Sequence, residues 1–192
     1  MDMGIDIPGA DWQPMPVQDA VDEFGLADDI ECFFLDEPTN DALVHRGDLV
    51  VPGPLAIDGE DIQLHVIDGS LTVKDAFSFQ NVDVYAALCV TGSVTARSMT
   101  CIWDIQFVVG GSVNVDDLLI TQLTDAGWFA VRAGLTAGSW LQMDDRGILA
   151  INGPVSALRY SAEDAQAAVR EEYLFDVERI RDGLFAGRPV LR

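Results

Sequence analysis

Paired carboxylates are the side chains here whose type and spacing could do chemistry. Asp116-Asp117 and Asp144-Asp145 each set two acids side by side. Such a pair can hold a hard cation such as calcium, which takes six to eight oxygen ligands. It can also flank a glycosidic bond as acid and base. Neither reading is favoured: the Gly-Gly-x-Gly-x-Asp phrase of calcium-binding roll repeats is absent, and solenoid glycoside hydrolases are mostly secreted and have larger coils. Solvated turn acids account for both doublets. His45 and His65 lie in no His-Glu-x-x-His context and near no cysteine pair, so no zinc set forms. His65 occupies an apolar position of a repeated phrase and is expected at the core edge, bonded to a backbone carbonyl. The three cysteines, Cys32, Cys89 and Cys101, are odd in number and lack ligand spacing. They suit reduced thiols in the cytoplasm. Gly110-Gly111 is a bend, not a phosphate loop, and the strict six-residue period of acyltransferase solenoids is missing. The expectation is a protein that is not an enzyme and needs no cofactor and no metal.

Recognition is the other chemistry that acids support. Thirty-two acidic against 11 basic side chains give a net charge of −21. Such a surface repels phosphate backbones and anionic lipid, which excludes nucleic-acid and membrane-surface binding as first readings, and it attracts a basic protein. Trp128 and Trp140 follow small-residue turns, Ala-Gly-Trp and Gly-Ser-Trp. There they either pack inward or lie on the surface. Exposed beside Asp116, Asp117, Asp125, Asp144 and Asp145, they would form an aromatic anchor ringed by acid, and these seven residues are the candidate partner-binding set. Trp103 alternates with Ile105 and Phe107 and is expected in the core.

The elements that must position these residues come from a repeated nine-residue phrase. Its copies are centred on positions 53, 69, 92, 111, 133 and 153, spaced 16, 23, 19, 22 and 20 apart. Each has apolar residues alternating on both sides of a glycine or alanine, as in His65-Val-Ile67-Asp-Gly69-Ser-Leu71-Thr-Val73. That pattern predicts two short half-buried strands joined at a bend. A unit of about twenty residues cannot bury its own apolar face and must stack on its neighbours. The fold class is therefore all-β, a single β-solenoid of about six coils over residues 48–160. Val51, Ile67, Val90, Val109, Val131 and Ile151 should form one internal column. Ala56, Thr72, Thr95, Asn114, Thr136 and Ser156 should form an outward ladder.

The flanks differ from the repeat. Residues 1–47 form an acidic N-terminal cap, with twelve acids and no Lys or Arg in the first 45 positions. Within it Val17–Phe24 reads as a short helix stopped by Gly25, and Ile30–Leu35 as a strand. The start has neither the basic nor the apolar region of a signal peptide, and no apolar run approaches the eighteen residues of a membrane span. Residues 161–192 form a short C-terminal α-helical cap. Ser161 starts a helix expected to reach about Tyr173, and a second helix begins near Asp176. These helices should cover the last coil, because open sheet edges would otherwise grow end to end.

The Gly-Ser-Leu-Thr-Val type of phrase at this spacing resembles the bactofilin-related, polymer-forming β-helix proteins. Ile180-Arg-Asp-Gly-Leu-Phe-Ala-Gly-Arg-Pro-Val-Leu191 is similar to the closing helix of a compact subgroup of them. The resemblance covers about residues 46–192. It implies a right-handed coil and an immunity protein that neutralises a basic toxin domain, for example a nuclease, by direct binding. The alternative it offers is a bactofilin-like self-assembling scaffold. The segments at both ends depart from the bare coil ends of polymerising members, so a monomer or small homo-oligomer is expected.

Overall fold

Alternating residues give each strand one face toward the interior, with Leu64–Asp68, Ala87–Val90 and Gln106–Val109 of the first sheet buried on their outer face as well, and each bend carries the chain from one sheet to the other. The computed structural model describes residues 5–29, 41–59, 62–81, 86–143, 146–174 and 176–192. In the first sheet β1 (Gln13–Met15) lies antiparallel against β2 (Ala42–Arg46). From β2 the sheet continues in parallel through β5 (Leu64–Asp68), β7 (Ala87–Val90), β9 (Gln106–Val109), β11 (Trp128–Val131) and β13 (Ile148–Ile151). The facing sheet begins with β3 (Leu49–Val51) and β4 (Leu55–Gly59), which both pair with β6 (Leu71–Asn81). It continues through β8 (Val94–Trp103), β10 (Ser112–Leu123), β12 (Gly134–Gln142) and β14 (Val155–Tyr160). The result is a β-solenoid of about five turns. Between the sheets Phe77 and Phe79 meet Phe107 edge-on, and Phe107 stacks on Phe129 at 5.3 Å.

The bends are a ladder of close backbone approaches. Gly92 N–H donates to the Gly69 carbonyl at 2.8 Å, and Gly111 N–H to the Gly92 carbonyl at 2.8 Å. A Cβ on Gly69 would lie 2.3 Å from the Gly47 carbonyl oxygen, and one on Gly92 2.7 Å from that of Gly69. Glycine is required because the coil beneath is too near for a side chain, not because of an unusual φ. The next rung, Ala133, carries a Cβ, and its bond to the Gly111 carbonyl is longer, at 3.2 Å. Serines beside the glycines form a second ladder. Ser93 N–H donates to Ser70 Oγ and Ser112 N–H to Ser93 Oγ, each at 3.1 Å.

The first coil corrects the phrase register. Leu43 and His45 stand opposite His65 and Ile67, and Leu49 and Val51 opposite Leu71 and Val73. The first bend is therefore Gly47, not Gly53, and the solenoid begins at Ala42 instead of residue 48. Gly47 to Gly69 is a step of 22, so the spacing of 16 reflected a false phrase, with Leu49-Val-Val51 serving as second half instead of first. Ile67, Val90, Val109, Val131 and Ile151 do share one internal column, but its first member is His45. Val51 is buried in a different column. Likewise Thr72, Thr95, Asn114, Thr136 and Ser156 form the outward ladder, with Val50 in place of Ala56.

The flanking segments cover the sides and one end. Residues 5–12 close the N-terminal end, where Ile5, Ile7, Ala10 and Trp12 pack onto the interior of the first coil. Helix α1 (Val17–Phe24), ended by left-handed Gly25, lays Val17, Ala20 and Val21 on the outer face of the first sheet. Small residues there, Ala42, Ala87, Cys89 and Ala130, make room for it. The strand expected at 30–35 lies outside the described residues. Helix α2 (Ala162–Ala168) starts from a capping box between Ser161 and Asp164 and ends well before Tyr173. A single 3₁₀ turn, Glu171–Tyr173, leads to α3 (Val177–Phe185), capped by Asp176. These helices touch the last coil only from the side, with α2 against β14 and β12, and do not lie over its open end. Ala165, Val169, Tyr173, Ile180 and Leu184 pack beside Ala76, Leu118, Ile120 and Leu141, on the outer face of the second sheet. The outward side chains of that sheet are apolar enough to recruit them. No described helix is long and apolar enough to cross a membrane.

Candidate partner surface

Strand direction and bulges divide the seven candidate residues among separate places. Asp116 and Asp117 are exposed at an irregularity of β10, where two residues face the single Gly138 of β12. A Cβ on Gly138 would lie 2.6 Å from the Asp116 carbonyl oxygen, so the close approach of β12 holds this doublet outward. Beside them Arg97 pairs with Asp75 and, at 3.5 Å, with Asp117. Its guanidinium also donates to the Leu184 carbonyl at 3.1 Å. That guanidinium holds the Asp75 carboxyl below the usual carboxylate range. The doublet thus forms one wall of an open cleft of about 570 Å³ whose other wall is the C-terminal tail, Gly187 to Leu191.

Asp125 belongs to a different corner. It sits in the turn after β10 and pairs with Arg146 at 3.3 Å, both side chains well exposed. Half-buried Trp128 opens the next strand and packs against the outer apolar face of the first sheet. Its Nε1 is buried with no hydrogen-bond partner among the described residues. Asp125 and Trp128 therefore share a corner, while Asp116 and Asp117 stand eight or nine residues back along a largely extended strand. At about 3.3 Å per residue that is roughly 25–30 Å. Asp144 and Asp145 lie outside the described residues.

Trp140 is corrected from surface anchor to core. It is fully buried, it points between the sheets, and its Nε1 donates to Thr121 Oγ1 at 3.1 Å. Its register partners Leu119 and Arg159 show why. The position belongs to an inward column, which Arg159 ends by lying over the indole at 4.6 Å. Trp103 is only half-buried. Its φ of +66° turns the chain at the end of β8 and breaks the alternation expected to carry it inward.

The histidines proved more informative than their sequence context. Both face inward on the first two coils, and both accept a backbone N–H from the N-terminal segment. Asp11 donates to His45 Nδ1 at 3.0 Å and Ile5 to His65 Nε2 at 3.2 Å. Trp12 stands edge-on to both rings. His65 is thus an acceptor for a backbone N–H at Nε2. Its burial drives the pKa down to about 4, partly offset by the Gln63 backbone. Burial likewise pushes the Cys89 thiol up to about 12, which leaves it a packing residue. Among the described residues, no three His, Cys, Asp or Glu side chains converge as a metal site would require. Comparison of the chain with family models, curated proteins and solved structures finds no match.

Proposed function

We propose that this chain is an acidic binding protein that captures a basic protein and acts by masking it, without catalysis of its own. The observation that carries this reading is how the charge is spent. Among the described residues, six of the ten arginines form ion pairs with carboxylates of the chain, and several of them fasten the flanking segments to the solenoid. Little positive charge is left to offset the excess acid, which includes exposed Asp116; Asp117 and Asp125 are exposed as well but already face Arg97 and Arg146. A rigid acidic surface of this kind speeds encounter with a basic partner, and half-buried Trp128 beside Asp125 offers an apolar contact to slow its release. The resemblance to bactofilin-related immunity proteins supports a toxin domain, for example a nuclease, as that partner, met in the cytoplasm.

Co-expression with a basic toxin domain encoded beside this chain tests the proposal, with cell survival and co-purification as readouts. Association should slow sharply between about 0.01 and 0.15 M salt, where the screening length falls from about 30 to about 8 Å. Neutralising Asp116 and Asp117 should lower the association rate, and Trp128→Ala should mainly raise the dissociation rate. A partner of neutral or acidic character, or an association rate indifferent to salt, would refute the electrostatic basis.

A further inference from the structure

The two ends of the solenoid are not equivalent. Residues 5–12 close the N-terminal end, whereas β13 and β14 each end their sheet with no described strand on the outer side. Among the described residues, three of the five exposed large apolar side chains, Ile148, Val155 and Leu158, lie on this last coil, with exposures of 49, 39 and 59%. Leu149, Ile151 and Ala157 continue the interior columns and stay partly uncovered.

We propose that this bare coil end binds a second copy of the chain, tail to tail, to give a closed two-fold dimer. Three observations select that occupant. The end presents two edge strands on facing sheets, about 10 Å apart, and another end of this solenoid offers two edges at the same spacing. The edge strands themselves carry no acid: residues 146–160 contain Arg146 and Arg159 and no Asp or Glu, the nearest acids being those at 144–145 and 163–164. The contact is also self-complementary. A two-fold axis perpendicular to the sheets sets β13 antiparallel to its mate and β14 antiparallel to its own, each satisfying open backbone groups. Growth stops at two because the other end is plugged. The dimer is independent of the basic-partner reading and has the opposite salt response, since screening relieves repulsion between two acidic copies.

Sedimentation velocity of the full chain, with hydrogen exchange on the same samples, tests this. At about 100 µM, where a contact with Kd of about 1 µM is nearly saturated, the expected mass is twice the 20.8 kDa chain. Protection of amides 148–151 and 155–160 should rise with concentration, and dimerisation should tighten as salt is added. Leu158→Glu sets like charges near each other across the two-fold and should give a monomer whose melting temperature matches that of the native chain at a dilution where it too is monomeric. Ser156→Lys, on the outward ladder, is the second variant should the first fail to fold. A monomer at about 100 µM, a dimer protected elsewhere or untouched by both folded variants, or a mass that keeps growing beyond two chains would each overturn the proposal.

Discussion

His65 shows how one residue ties a solenoid end to pH. Its Nε2 accepts the Ile5 N–H, so the neutral ring with its proton on Nδ1 is the form the fold requires. Folded, it titrates near 4; unfolded, at the ordinary 6.5. Between those values the unfolded chain binds a proton that the native state refuses, so this contribution is complete above 6.5 and is lost as pH falls toward 4. His65→Leu removes the titration and suits a column that continues with Leu88. The difference in unfolding free energy between the native chain and His65→Leu should shrink by about 2–3 kcal/mol from pH 7 to pH 4.5, measured in urea. Carboxylates common to both chains cancel in that comparison, so a difference that stays constant with pH would contradict the assignment. At the other end Arg159 lies over Trp140, and Arg159→Ala should cost about 0.5–1 kcal/mol in the same assay.

The coil is the element that repeats, and its tolerances follow from its contacts. In Gly92→Ala the new Cβ would lie 2.4 Å from Ser70 Oγ and 2.7 Å from the Gly69 carbonyl oxygen. The serine can rotate away but the carbonyl is part of the ladder, so the bend must lift. The naturally lengthened rung at Ala133 shows that this is survivable, and a loss of about 1–3 kcal/mol is expected from chemical denaturation. Val109→Asp is a harsher change. Val109 is fully buried in the internal column, between Val90 and Val131. A carboxylate there has no partner and costs several kcal/mol, so calorimetry should find the variant largely unfolded at 37 °C. Melting at the native temperature would mean that the column is not packed as described.

For the molecule as a whole, arginines decide where the flanks lie. Arg132 reaches the Gly25 carbonyl and Asp29, which ties the segment after α1 to the bend between β11 and β12. Arg97 holds the Leu184 carbonyl of α3, and Arg181 of α3 donates to Gln80 at 2.6 Å. Arg97→Ala should release α3 while leaving the coils intact. Limited proteolysis within 170–192 should then accelerate, with near-native protection of β8 and β10 by hydrogen exchange. Equal loss of protection in helix and coils would show that the helical segment is integral to the core instead of fastened onto it.

Much of the coil was legible in the sequence, because alternation has a period of two and a strand with one buried face cannot slip by one residue without exposing it. Five of the six members of the internal column and five of the six ladder rungs follow from that rule alone. The first phrase failed because Leu49-Val-Val51 fits either half of a phrase equally well, and only pairing with Leu71 and Val73 decides between them. Trp140 was ambiguous for a related reason: a bulge resets the alternation, and its place is known only once β12 is registered against β10. The acids were visible as composition, but their division between two corners depends on where β10 bends. Which surfaces the helices cover was likewise beyond the sequence. An apolar helix face is satisfied by any matching surface, and the outer side of the second sheet, fixed by contacts between residues a hundred positions apart, proved a better match than the end of the last coil.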